Sequence, residues 1–310
     1  MNLRDMIYFC AVADMSHFGR AAEACHVSQP TLSAQIKKLE EELGVVLFER
    51  SNRSVRLTPA GGDILPIARR IKQAATDIKR TAESHRDPFS GHVAIGVIPT
   101  AAPALIPDIV RGLRDSLPQM KHGFVEDLTD GLIARLERGA IDAAILATEV
   151  PGQAFDEIQL YDEPFLLACP ERHRLATARH LTPTSIDPDE LLLLSEGHCF
   201  RVQALSFCRV PTGVAAGAEL QATSLETILN IVSAGVGITL VPARTAHATP
   251  LMQSGIAVRA FDDAGKGEAS ARRMRLVFRA TSPRRRLMKA IADTIRGGAP
   301  DCVRLVKEGG

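Results

Sequence analysis

The sequence predicts an α/β protein in two styles: a helical N-terminal segment ending in a small hairpin and a long helix, then a domain of alternating strands and helices. Three observations predict it. Apolar residues recur at helical spacing through roughly the first 90 residues. Short apolar runs alternate with helical patterns from residue 92 onward. A length of 310 residues, 45% of them apolar and 24% charged, suits one large or two ordinary packed domains rather than a disordered or fibrous chain.

The same composition excludes several classes. A net charge of +1, from 37 basic and 36 acidic side chains, rules out a uniformly basic surface, so any nucleic-acid contact must be local or built by oligomerisation. No run of 18 apolar residues exists and Met1-Asn2-Leu3-Arg4-Asp5 lacks a signal-peptide pattern, so the chain is expected in the cytoplasm and off the membrane. Six dispersed cysteines, at 10, 25, 169, 199, 208 and 302, do not form a secreted disulfide scaffold. No C-x-x-C pair or Cys/His cluster calls for a metal, and nothing calls for a cofactor.

In the N-terminal segment, Leu3, Ile7 and Cys10, widened by Met6 and Phe9, form the apolar face of a first helix. Ser16 is the expected cap of a second helix containing the small pair Ala21-Ala22. After a break at His26-Val27, Ser28 caps a third helix with the stripe Leu32, Ile36, Leu39 and Leu43, and Gly44 ends it. Two short helices at a tight turn, with alanines at their crossing, meet the packing requirement of a helix-turn-helix. The face opposite the stripe carries Gln29, Pro30, Thr31, Ser33, Gln35 and Lys38, short hydroxyls and amides suited to base edges plus a cation for phosphate. Residues 47–57 read as a hairpin whose Arg50, Arg53 and Arg56 suit a wing along a nucleic-acid backbone. The alternative is a three-helix structural module with a polar outer face.

Thr58-Pro59 opens a fourth helix, cap then proline. Ile64, Ile67, Ile71, Ala74 and Ile78 make a heptad seam, and Pro66 is expected to bend the helix near its start. A lone amphipathic helix needs a partner: a second copy of itself, or the chain's next domain. The stretch 85–91 reads as a hinge.

From residue 92, strands at 93–98, 122–125 and 141–147 alternate with helices at 103–117 and 128–138, which argues for a mostly parallel sheet. A second set follows: strands at 191–194, 238–241 and 256–261, helices near 199–208 and at 225–234, then a strand at 275–279 and a helix at 284–295. Chemistry in such folds sits at strand ends and helix N-termini, which singles out Thr100, Thr129 and Glu196-Gly197-His198-Cys199.

Cys199 stands at the expected start of a helix, after His198 and two residues before Arg201, conditions that favour a thiolate. A reactive thiolate is oxidised by peroxide to a sulfenic acid, which a second thiol converts to a disulfide. Cys208 lies nine residues on. On one regular helix the two are about 13 Å apart along the axis, against a Cα limit near 7 Å for a disulfide, so the bond requires that segment to unwind. The plain alternative is two buried helix cysteines.

The run Phe18-Gly19-Arg20-Ala21-Ala22-Glu23-Ala24-Cys25-His26-Val27-Ser28-Gln29-Pro30-Thr31-Leu32-Ser33 continues through Leu39-Glu40 and Leu43-Gly44 to Leu47-Phe48-Glu49-Arg50 and Leu57-Thr58-Pro59-Ala60-Gly61. It resembles the LysR-type transcriptional regulators, and the likeness covers essentially the whole chain. The resemblance implies a winged helix-turn-helix over 1–58 that binds double-stranded promoter DNA, and a dimerising linker helix and hinge over 59–90. It also implies a regulatory α/β domain over 91–300, similar to periplasmic binding proteins. Its first subdomain would be 91–162 with 268–300, its second 163–267, and 301–310 a tail. A homodimer or homotetramer that contacts RNA polymerase is implied as well.

Leu194-Ser195-Glu196-Gly197-His198-Cys199-Phe200-Arg201, with Gln203, Ala204 and Cys208, resembles the redox segment of that family's hydrogen-peroxide-sensing branch. Further matches are Ile98-Pro99-Thr100 with Ala102-Pro103, Thr129, and Ala222-Thr223-Ser224-Leu225-Glu226-Thr227. The likeness implies that Cys199 is peroxidatic and Cys208 resolving, that Thr100 and Thr129 help hold peroxide, and that His198, Arg201 and Arg279 support the site. It implies activation of oxidative-stress genes. Cys25 reads as core. Val202 stands where the family commonly has aspartate, and Glu219 where some relatives have histidine.

Two other readings compete. One is a LysR-type regulator whose cleft takes a small organic effector without redox chemistry. The other is a thiol peroxidase whose N-terminal helices only assemble subunits.

Overall fold

The computed structural model describes residues 1–50, 55–87, 89–210, 222–248, 255–262 and 270–306. The chain divides into two compact units, Met1–His85 and Arg86–Gly310.

In the first unit, α1 (Leu3–Met15) starts at a capping box: Asn2 Oδ1 accepts from the Asp5 N–H at 3.2 Å, and Asp5 Oδ2 accepts from the Asn2 N–H at 2.7 Å. Ser16 does not cap the second helix. It ends α1 in the left-handed conformation, φ 49°, its N–H donating to Val12 O. The cap of α2 (Phe18–Ala24) is His17, whose Nδ1 accepts from the Arg20 N–H at 3.2 Å. An imidazole nitrogen is an acceptor like a hydroxyl, and the longer α1 moves the cap one residue on. Ser28 caps α3 (Gln29–Leu43) as expected and Gly44 ends it at φ 70°. The hairpin pairs β1 (Phe48–Arg50) with β2 (Val55–Leu57), antiparallel with Phe48 opposite Leu57.

The core of this unit gathers Phe9, Phe18, Leu32, Ile36, Leu39 and Phe48, and α4 (Pro59–Arg86) adds Leu65 and Ala68 to it. Gly61 is required in its first turn, because a Cβ there would lie 2.2 Å from Leu47 O. The helix runs unbroken through Pro66 and ends inside the stretch read as a hinge. Its heptad seam divides: Ile64 packs on the core, whereas Ile67, Ile71 and Ile78 are exposed.

The second unit runs β3 (Gly91–Val97), α5 (Ala102–Ser116), β4 (Met120–Glu126), α6 (Thr129–Glu137), β5 (Ala143–Leu146) and β6 (Phe155–Pro170). It continues with α7 (Cys199–Phe207), α8 (Leu225–Ser233), β7 (Thr239–Pro242), α9 (Ala243–Ala248), β8 (Ile256–Ala260), β9 (Ala271–Arg279), α10 (Arg285–Gly297) and β10 (Arg304–Leu305). Its strands follow the order β10-β6-β9-β5-β3-β4, with β7 and β8 on the far half of β6. Among the described strands only β3–β4 and β3–β5 are parallel, so the mostly parallel sheet expected from the sequence is corrected. The cause is β6, a 16-residue strand absent from the sequence reading, along which β9, β7, β8 and β10 all run antiparallel. The stretch 191–194 makes isolated bridges to Ile238 and Ala222 rather than a strand.

Two hydrophobic cores share β6: Leu160 and Tyr161 belong to one with β3, α5 and α10, and Phe165 to Cys169 to the other with α7 and α8. The expected tail is corrected at its start, since Val303 is buried in the first core and β10 pairs with Tyr161 and Asp162.

Candidate functional site

Four of the residues singled out in the second unit, Thr100, Thr129, His198 and Cys199, line one pocket. Gly197, at φ 91°, turns the chain from the apolar stretch before it into α7, with His198 as the cap residue and Cys199 first in the helix. Thr100 follows β3, and Thr129 opens α6 after the Leu128 cap residue. These three places meet at a cavity of about 10 Å3 lined by Ile98, Pro99, Thr100, Leu128, Thr129, His198, Cys199 and Phe200. That is room for about one water-sized molecule. The Thr129 hydroxyl is buried with no hydrogen-bond partner among the described residues, the kind of orphan that a guest satisfies. Burial holds the His198 imidazole below its usual pKa, against the pull of a hydrogen bond to the backbone of Thr223.

Thr100 is held by a residue that sequence reading missed. Arg272, on β9, donates from Nη1 to Thr100 Oγ1 at 2.7 Å and from Nη2 to Thr100 O at 3.2 Å. Its guanidinium lies 5.6 Å from the Phe200 ring centroid and is paired with Glu163 at 2.8 Å, both side chains within 1% of full burial. The available signal was a run of arginines just before residue 275, where the strand was expected to begin.

Arg279 is not at the pocket. It sits at the other end of β9, where Nη1 donates to Leu136 O at 2.7 Å and Ile141 O at 3.2 Å, serving the C-terminal end of α6. The strand carries four arginines, at 272, 273, 275 and 279, and β9's register brings Arg272 to Thr100. Arg201 is also outside the lining; it donates to Leu194 O at 3.0 Å and so ties α7 to the preceding stretch. Cys208 closes the opposite end of α7, about 13 Å from Cys199 along the axis at 1.5 Å per residue. It is buried beside Phe207, whose ring centroid is 5.4 Å from Phe165 and 4.8 Å from Phe261, and burial pushes its thiol pKa up to about 12. Both cysteines are free thiols. Val202 is exposed, and Glu219 lies outside the described residues.

In the first unit, Ser28, Gln29, Pro30, Thr31 and Lys38 are exposed on α3, while Ser33 is half-buried. Gln35 is corrected: it is half-buried and donates from Nε2 to the buried Asp5 at 2.7 Å, binding α3 to α1 instead of facing outward. The sequence pattern put it opposite the stripe, but it neighbours Ile36 closely enough to reach α1. Arg50 ends β1, Arg56 is exposed on β2, and Arg53 lies outside the described residues. Among the described residues no group of His, Cys, Asp or Glu could hold a metal, and no helix is long and apolar enough to cross a membrane.

Comparison with known proteins gives the two units one identity. Residues 3–62 match the bacterial regulatory helix-turn-helix proteins of the lysR family, and residues 86–300 match the LysR substrate binding domain. The chain belongs to the LysR family. Within that family it is 40% identical over 296 residues to a hydrogen peroxide-inducible genes activator of Pectobacterium carotovorum, covering 96% of each chain. A solved full-length OxyR of Pseudomonas aeruginosa, a cysteine-to-aspartate variant, matches with a TM-score of 0.81 and 34% identity, over 100% of this chain and 99% of that one. An OxyR mutant of Corynebacterium glutamicum, described as H2O2-bound, matches with a TM-score of 0.64 and 33% identity, over 96% and 92%. These relatives and structures place the likeness of this LysR-family chain with OxyR.

Proposed function

We propose that this protein is a DNA-binding transcriptional activator that senses hydrogen peroxide through Cys199. One observation carries the reading: Cys199 shares a cavity with Thr100 and with the buried, unpartnered hydroxyl of Thr129. A cavity of about 10 Å3 suits only a guest near the size of a water molecule, the size class of hydrogen peroxide. An organic effector needs a few hundred Å3, so none occupies this Cys199 cavity. The relatives named above, a peroxide-inducible activator and an H2O2-bound structure, support the same signal here.

The chemistry balances without a cofactor. The Cys199 thiolate attacks one peroxide oxygen, the O–O bond breaks, that oxygen stays on sulfur as the sulfenic acid, and the other leaves as hydroxide and is protonated to water. The Cys208 thiolate then displaces the sulfenic oxygen, which departs as a second water, and a disulfide remains. Cys208 cannot act where it lies, since its thiol is buried, protonated and too distant. Unwinding α7 both closes the distance and brings the thiol to water, so the bond and the refolding are one event. Each reduced molecule turns over once, which is sensing and not metabolic catalysis.

The readout runs through DNA. The exposed face of α3, with Gln29, Thr31 and Lys38, enters the major groove, and the hairpin arginines follow the backbone. Residues 1–90 carry only 13 basic against 11 acidic side chains, so grip depends on pairing two or more footprints. The exposed Ile67, Ile71 and Ile78 supply the seam for a second copy, in a homodimer or homotetramer that contacts RNA polymerase.

The test is a footprint of reduced and oxidised protein on one promoter duplex beside Cys199→Ser. Oxidation is expected to move the wild-type footprint and leave that of the variant unchanged. A shift that persists in the variant excludes Cys199 as the sensor.

A further inference from the structure

We propose that Glu163 is a positioning residue for the peroxide step, acting through Arg272 on Thr100; the inference rests on the sensing reading above and adds a residue to it. Glu163 stands on β6 at the change between the two cores, between Asp162 and Pro164. It does not line the Cys199 cavity.

Both carboxylate oxygens of Glu163 are used by donors from different elements. Oε2 accepts from Arg272 Nε at 2.9 Å, and Oε1 accepts from the backbone N–H of Arg244, in the first turn of α9, at 2.9 Å. A guanidinium is planar, so fixing Nε fixes the plane in which Nη1 and Nη2 point. In that plane Nη1 meets Thr100 Oγ1 at 2.7 Å and Nη2 meets Thr100 O at 3.2 Å. Arginine has donors only, so Thr100 Oγ1 must accept from it, and the threonine's own O–H is left to donate elsewhere. Thr100 lines the cavity, and a peroxide there takes that proton as a hydrogen bond. Glu163 thus sets the polarity of a hydroxyl it never touches. The fully buried position, with the side chains of Glu163 and Arg272 at 1% and 0% exposure, leaves no solvent to do the same work.

Glu163→Gln breaks this arrangement in a defined way. An amide has one oxygen and one NH2, and here it faces two N–H donors, so it can serve Arg244 or Arg272 but not both. The experiment uses full-length reduced protein and two rates on Cys199: oxidation by hydrogen peroxide and alkylation by iodoacetamide. The second reports access to the thiol but does not use the peroxide-binding hydroxyls. Glu163→Gln is expected to slow oxidation by about 100-fold while alkylation changes by less than about threefold, the pattern of a misplaced group. Combined with Thr100→Val, it is expected to add less than about threefold to the loss from Thr100→Val alone, because the two lie on one path.

A variant oxidised as fast as wild type, equal changes in both rates, or independent effects in the double variant would each overturn the proposal. Should Glu163→Gln not fold, Glu163→Asp replaces it, keeping the charge but shortening the reach by one methylene. It is expected to slow oxidation at least about 10-fold, and a wild-type rate overturns the proposal. If wild-type Cys199 itself resists peroxide, the sensing reading falls and this inference with it, whereas a failure confined to the variants leaves that reading standing.

Discussion

The two ends of α7 carry the same side chain in opposite surroundings. Cys199 opens the helix, partly exposed, against the first core and beside a cavity with an unsatisfied hydroxyl. Cys208 closes it inside the second core, beside an aromatic group of Phe165, Phe207 and Phe261, with its thiol pushed up to about 12. A single helix thus places one thiol beside a small cavity and the other inside a core; under the proposed sensing role the second reacts only once the helix comes apart. The difference lies in packing, since nothing in the residue type distinguishes them.

The largest effect expected at either end is Phe207→Ala. It removes a fully buried ring and should cost about 3–5 kcal/mol of unfolding free energy in denaturant melts. A loss under about 1 kcal/mol would mean that the Cys208 end is loosely packed and the contrast is wrong. The next is a pH effect. Burial raises the Cys208 pKa from 9.0 to about 12, so the folded state keeps a proton that the unfolded chain releases first. That stabilisation is complete below pH 9 and is lost as pH rises above it; between pH 8 and pH 10 wild type should lose about 1.4 kcal/mol more than Cys208→Ser. Parallel curves for the two proteins would place Cys208 in water. The smallest effect belongs to Cys199→Ser, a near-isosteric change at a partly exposed position, which should leave the reduced protein within about 0.5 kcal/mol of wild type.

The readable part of the sequence was the part held by local rules. Ser28, Gly44 and the Leu32-Ile36-Leu39 stripe fixed α3 through capping and periodicity, and Cys199, Thr100 and Thr129 came together because each stands at a strand end or helix start. What escaped notice was tertiary. The acidic run containing Asp156, Glu157, Asp162 and Glu163 looks unlike a buried strand, because the partners that neutralise it lie more than 100 residues away. Asp162 bonds Arg273 at 2.8 Å directly across the strand pair, and Glu163 bonds Arg272 likewise. A bulge between Gln159 and Tyr161 further breaks the alternation of β6. Arg272 went unread for the same reason, since only the register of β9 brings it to Thr100, while Arg279, which the family likeness had suggested, bonds Leu136 O instead. Gln35 was misplaced for a related reason, its partner Asp5 being on another helix.

The contrast between the two ends of α7 makes one demand on the chemistry: the disulfide and the helix cannot coexist. Hydrogen exchange of α7, read by mass spectrometry on the same sample in which disulfides are mapped, tests this most directly. After stoichiometric hydrogen peroxide, Cys199 and Cys208 should be linked, and the amides of residues 202–207, which the helix of the reduced protein should protect, should exchange freely or take up a new pattern. A linked pair with α7 protection unchanged, or free Cys199 after peroxide, would contradict it.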